Sequence, residues 1–121
     1  MTSKSSTTTS ARRSGQGGTT AGKAMPLPPV HPGEVLREDL MVPLGISINA
    51  LARDLRVAVT RVSEIVNGRR SITADTALRL GRYFGSTPQF WLNLQAAFDL
   101  DVATRTSIQR IERDVHPREA A

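Results

Sequence analysis

Cysteine is absent from the 121 residues. That excludes a disulfide framework, a thiolate metal site and a cysteine nucleophile. Histidine is scarce: His31 stands beside a proline and His116 lies close to the C-terminus. Neither clusters with a carboxylate or a nucleophile at catalytic or metal-binding spacing. No glycine-rich phosphate loop follows a strand, because no convincing strand pattern occurs. No apolar run approaches the ~18–20 residues that cross a bilayer, and no secretory signal pattern is present. These absences point to a soluble cytoplasmic protein without catalytic activity, metal or other cofactor. Acid is missing locally as well: Lys4, Arg12, Arg13 and Lys23 charge the first 33 residues with no Asp or Glu among them.

The length suits one domain with tails rather than two domains. Residues 1–24 hold no aromatic or branched aliphatic side chain, apart from the polar threonines, and cannot bury enough surface to offset the entropy of ordering. A disordered tail is expected there, either a passive solubilising leader or a weak non-specific attraction for DNA or a partner. Met25 to Pro32 is proline-rich and should be extended. The division expected is a basic tail over 1–29, an all-α domain over 30–102 and a partly helical extension over 103–121.

Within that domain, residues 47–70 carry the most information. Ser47 is a suitable N-cap, and Ile48, Leu51, Ala52 and Leu55 follow at helical spacing. Ala58, Val59, Val62, Ile65 and Val66 form a second stripe, and the face they leave open carries Thr60, Arg61, Ser63, Glu64 and Asn67. One helix that anchors and a second that offers compact polar groups is what a helix-turn-helix needs to reach base edges in the major groove. Ala52 is small where the two axes should approach most closely. The same pattern also suits a plain helical hairpin whose polar face is only solvated. Charge favours the first reading. From Glu34 onward twelve arginines meet eleven acids, so the body is nearly neutral, yet between Arg53 and Arg70 five arginines face only Asp54 and Glu64. A local basic patch on the proposed reading head is what phosphate contact requires.

Three further helices are expected around this pair. The first runs from about Gly33 to Met41, closed by Pro43 and Gly45. The fourth starts after Thr73, turns Ala74, Ala77, Leu80, Gly81 and Phe84 inward, pairs Asp75 with Arg79 outside, and stops at Gly85. The fifth opens with Thr87 as cap and Pro88 at its first position. It bears one stripe of Phe90, Trp91, Leu94, Ala97 and Phe98 and another of Leu92, Ala96 and Leu100. A surface helix of a monomer needs only one. The second implies a partner surface, most simply a second copy, unless the domain wraps this helix more fully. Beyond Ala103, Ile108, Ile111 and Val115 keep a thin helical spacing that suits either a frayed continuation or a separate short helix.

Read together, His31-Pro-Gly-Glu-Val-Leu-Arg-Glu-Asp-Leu40, Leu51-Ala52, Asn67-Gly68-Arg69-Arg70-Ser71-Ile72-Thr73, Ala77-Leu78-Arg79-Leu80 and Phe90-Trp91-Leu92-Asn93-Leu94-Gln95 resemble the HigA antitoxins. These are helix-turn-helix proteins of the XRE (Cro/C1-type) class. The resemblance spans roughly Val30 to Val102. It implies a five-helix lambda-repressor-like fold and a homodimer that binds a palindromic operator at its own promoter. It also implies a complex with a HigB-like, RelE-like toxin, a ribosome-dependent mRNA nuclease, and association with the nucleoid when bound to the operator. A stand-alone regulator of the same class is the other reading.

Carried over residue by residue, the resemblance places Val59, Thr60, Arg61 and Glu64 at bases, and Ser47, Ser63, Asn67, Arg69 and Arg70 at the DNA backbone. The second stripe of the fifth helix, Leu92, Ala96 and Leu100, is the expected dimer interface. Arg61 suits bidentate contact with guanine and Val59 a thymine methyl. Glu64 either accepts from a cytosine amine or pairs with Arg61 or a neighbouring arginine. The chain departs from the class in two places. Arg56 occupies the turn position usually held by glycine, and Ala58 the cap position usually held by Ser, Thr or Pro. Each departure carries an expected cost on the order of 1 kcal/mol.

Overall fold

The computed structural model describes residues 27–119, and every regular element among them is helical. Helix α1 is continuous in three parts, Pro32–Val35, Leu36–Met41 and Val42–Leu44, followed by α2 (Ile48–Leu55), α3 (Val59–Val66), α4 (Ala74–Phe84) and α5 (Pro88–Asp114). Most of the expected disordered tail lies in residues 1–26, outside the described residues. Residues 28–31 enter α1 without regular structure.

The middle part of α1 is a π-helix, in which the Val42 N–H donates to the Arg37 carbonyl five residues back. The sequence suggested that Pro43 would end this helix. Instead Pro43 is accommodated near its last turn. A proline ring strikes the carbonyl four residues back in a regular helix, and the widened turn just ahead of Pro43 relieves that clash. Gly45 then stops the chain at φ 67°. At the other end, His31 caps α1 by accepting the Gly33 N–H on Nδ1 at 2.9 Å. Gly33 lies against α3, and a Cβ there would sit 1.7 Å from the Ile65 carbonyl oxygen. Only glycine lets α1 start this close to the end of α3.

The core is built from Leu36 and Met41 of α1, Leu51, Ala52 and Leu55 of α2, Val62, Ile65 and Val66 of α3, Ile72, Ala77 and Leu80 around α4, and Trp91 of α5. Ala52 is fully buried, as expected for a small residue between closely packed helices. Buried Gln95 ties the α3–α4 loop to α5. Its Oε1 accepts the Ile72 N–H at 2.7 Å and its Nε2 donates to Asp99 at 2.9 Å.

Four side chains placed on the apolar stripes are exposed instead, Ala58, Ala74, Phe90 and Ala97, and Val59, placed both on a stripe and at a base, is exposed as well. Ala58 is the N-cap of α3, and Val59 and Ala74 are the first residues of α3 and α4. Phe90 rests edge-on against Trp91, with ring centroids 5.0 Å apart, and covers the core rather than entering it. Helix α5 runs unbroken for 27 residues, so the residues past Ala103 are its direct continuation. No glycine occurs within it and its only proline is Pro88 at its start. Its second half carries the Arg105–Asp101 pair at 2.7 Å. Leu92, Ala96 and Leu100 all face outward, with Leu100 69% exposed.

Candidate nucleic-acid interface

Helix α2 starts on Ser47, whose Oγ accepts the Ala50 N–H at 3.0 Å. Capping uses the acceptor capacity of that hydroxyl and leaves its proton available to a phosphate oxygen. The helix ends in a Schellman closure: Val57 N–H bonds the Ala52 carbonyl and Arg56 N–H the Arg53 carbonyl. Arg56 takes φ 62° and is the only non-glycine with positive φ among the described residues. Ala58 then begins α3 in an extended conformation with no side-chain cap. Both departures noted in the sequence are therefore real features of this turn.

Helix α3 presents one continuous polar face. Val59, left 46% exposed, and Thr60 stand at its first turn. Asn67 at the far end bonds back through Nδ2 to the Ser63 carbonyl at 2.8 Å. Glu64 is not free: its Oε1 accepts from Arg70 Nε at 2.7 Å, so the pairing with a neighbouring arginine is the arrangement present. Arg61 is engaged too. Its Nη1 donates to Asp75 Oδ2 at 2.9 Å and lies 3.5 Å from the Thr76 hydroxyl. Arg69 and Arg70 follow on the exposed loop, and the Arg69 N–H closes the helix on the Glu64 carbonyl at 2.7 Å.

Asp75 is the hub that sequence reasoning left incomplete. The expected pair with Arg79 is present at 2.9 Å, and the same oxygen also receives Arg61. Hydrogen bonds from Arg79 and then Arg61 hold the Asp75 carboxyl below the usual carboxylate range. Arg79 in turn donates from Nη1 to the Leu55 carbonyl at 2.9 Å, so this carboxylate links α3 and α4 to the end of α2. The Asp75–Arg79 spacing was visible in the sequence, whereas Arg61 lies 14 residues away and gave no local signal.

His31 was passed over as a histidine beside proline. It lies edge-on to Phe98, with ring centroids 4.8 Å apart, while its Nδ1 caps α1. Burial lowers its pKa, against opposing contributions from the Asp99 charge and the Arg70 backbone. It therefore joins the start of α1, the loop carrying Arg70 and α5.

A helix-turn-helix family model matches residues 36–91, from the π-turn of α1 to the buried Trp91. Virulence-associated protein I of Dichelobacter nodosus is 56% identical over 77 residues, covering 64% of this chain and 71% of that protein. A HigA-family addiction module antidote protein from Coxiella burnetii superposes with a TM-score of 0.73 at 51% identity, covering 76% of this chain and 100% of that one. Pseudomonas aeruginosa antitoxin HigA, solved with the higBA promoter, gives 0.74 at 44% identity, covering 75% and 99%. The chain belongs to the HigA family of helix-turn-helix antitoxins. In this HigA-family chain the turn at Arg56–Ala58, the polar face of α3 and the Asn67–Arg70 loop follow one another along the chain, while Leu92, Ala96 and Leu100 lie on α5.

Proposed function

We propose that this HigA-family chain works as a dimer that reads a palindromic operator at its own promoter and holds an mRNA-cleaving, HigB-like toxin inactive. The reading is of a cytoplasmic, non-enzymatic repressor that meets the nucleoid at its operator. The observation that carries it is the polar face of α3, exposed at Thr60 and Asn67 and half-buried at Arg61, Ser63 and Glu64, on a fold shared with a HigA solved with promoter DNA. Val59, Thr60, Arg61 and Glu64 are assigned to base edges, and Ser47, Ser63, Asn67, Arg69 and Arg70 to the DNA backbone. Outward-facing Leu92, Ala96 and Leu100 are assigned to the dimer interface, because an isolated apolar stripe on a surface helix favours association.

Gel-shift titration against the upstream DNA tests the reading. Arg61→Ala should relax base preference, whereas Arg69→Ala should weaken all sequences alike and flatten the salt dependence. Leu92→Glu with Leu100→Glu should sediment as a monomer and lose operator affinity. Equal effects of Arg61→Ala on operator and random DNA would remove its role, and a wild-type monomer would remove the dimer. Co-purification with the product of an adjacent reading frame, with and without residues 1–24, tests the toxin partnership. Operator binding without such a partner would leave a stand-alone regulator.

A further inference from the structure

We propose that Asp75 is a positioning residue for operator reading: from the start of α4 it selects which edge of the Arg61 guanidinium is offered to DNA. The proposal rests on the base-reading role assigned to Arg61. A guanidinium can grip guanine with its Nη1–Nη2 end or with its Nε–Nη2 edge, since either places two N–H donors side by side. Here Nη1 is committed to Asp75 Oδ2 and leans on the Thr76 hydroxyl. The Nε–Nη2 edge carries no hydrogen bond among the described residues and is the edge left for a base.

Asp75 is itself restrained. Arg79 Nε donates to the same Oδ2 at 2.9 Å, and Arg79 Nη1 is anchored on the Leu55 carbonyl. The anchor therefore reaches back to the end of α2, and Thr76 beside it is buried. An arginine held this way keeps less rotamer freedom to lose on binding, and its fork has a defined direction. The carboxylate also offsets the charge of Arg61, which limits its attraction to phosphate at the wrong sequence.

This arrangement has a signature that a purely structural ion pair lacks. Loss of the carboxylate should lower discrimination while raising affinity for random DNA. The test uses the full chain and three kinds of duplex: the upstream operator, a set of operators with each guanine replaced singly, and a random sequence of equal length. Asp75→Asn should lose about tenfold discrimination at the guanine that Arg61→Ala identifies. It should also bind random duplex more tightly and show a salt slope steeper by up to about one. On the Arg61→Ala background the same change should alter discrimination by less than about twofold. Arg79→Ala, which keeps the carboxylate, should retain most of the discrimination.

Equal weakening on operator and random DNA, additivity with Arg61→Ala, or full reproduction of the effect by Arg79→Ala would each overturn the proposal. If Asp75→Asn does not fold, Asp75→Glu keeps the charge but displaces it. It should lower discrimination without tightening random binding, and unchanged discrimination there would count against the proposal. If Arg61→Ala itself leaves base preference intact, the role of Arg61 fails together with that of Asp75. If Arg61→Ala alters preference and Asp75→Asn does not, only Asp75 fails.

Discussion

Helices α2 and α3 are both eight residues long and both bury three side chains, yet their ends are made differently. Helix α2 has a side-chain cap from Ser47 and ends on Arg56 at φ 62°. Helix α3 has no side-chain cap and ends on Gly68 at φ 75°. Both close with the same Schellman pair of bonds, Val57 to Ala52 and Arg56 to Arg53 in one, Arg69 to Glu64 and Gly68 to Ile65 in the other. Each helix thus has one favourable end and one costly end, and the two costly ends meet in the turn at residues 56–58. Local rules are broken most readily where function or packing compensates. Here the turn delivers the bare first turn of α3 to the proposed DNA surface, while α3 is held from its sides and far end.

The far end gives the largest expected effect. Gly33→Ala would place a methyl 1.7 Å from the Ile65 carbonyl oxygen, so α1 must leave α3. Overpacking against backbone has few ways to relax, and a loss of about 3 kcal/mol in chemical denaturation is expected. Operator affinity should fall with it, since α1 supports α3. An unchanged denaturation midpoint would show that the end of α3 shifts freely and that its support lies elsewhere.

The contrast also marks what could be read from sequence. The stripes of α2 and α3 were legible because Leu51, Ala52, Leu55, Val62, Ile65 and Val66 repeat at helical spacing and are all buried. The caps Ser47, Thr73 and Thr87 were legible for the same local reason, and each side chain accepts a first-turn amide. Arg56 and Ala58 stood out as misfits from position alone. The tie between Arg61 and Asp75 was not legible, because it depends on how the loop after α3 returns α4 to the reading helix. Nor was the role of His31, whose partners Arg70 and Phe98 belong to different parts of the chain. Whether α5 continued past Ala103 or gave way to a separate short helix stayed open in the sequence, because Ile108, Ile111 and Val115 bury little. Intrahelical bonds and the bond from Arg105 to the Leu27 carbonyl hold that segment, rather than a core.

Exchanging the two starts sharpens the comparison at a smaller scale. Ser47→Ala should cost about 1 kcal/mol in thermal or chemical unfolding, since it removes the acceptor for the Ala50 N–H. Ala58→Ser should return a similar amount by supplying α3 with the acceptor it lacks. A neutral result for Ala58→Ser would mean that those amides already have partners. Arg56→Gly removes the cost of a side chain at positive φ, of order 1 kcal/mol, but adds backbone entropy to the unfolded chain. A net gain of a few tenths of a kcal/mol is expected, and a net loss would show that the Arg56 side chain contributes more than its conformation costs.

The smallest expected effect is one of pH, at the junction that holds the far end of α3. Burial lowers the His31 pKa below its ordinary value of 6.5, with the Asp99 charge and the Arg70 backbone acting against that shift. A folded-state value below the unfolded one means that the unfolded chain binds more protons in the interval between them. Stability contributed by His31 is therefore fully present above about pH 6.5 and declines as pH falls through that interval. Protonation also converts Nδ1 from acceptor to donor, so the bond from the Gly33 N–H is lost in the same step. His31→Asn keeps a capping oxygen and cannot titrate, and its stability should be flatter than that of the wild type between pH 7 and about pH 5. Parallel pH profiles for the two proteins would mean that His31 does not set the acid sensitivity of this interval, and Asp75 cannot supply it there. Its depressed pKa keeps its contribution above the ordinary carboxylate range and loses it only as pH falls further.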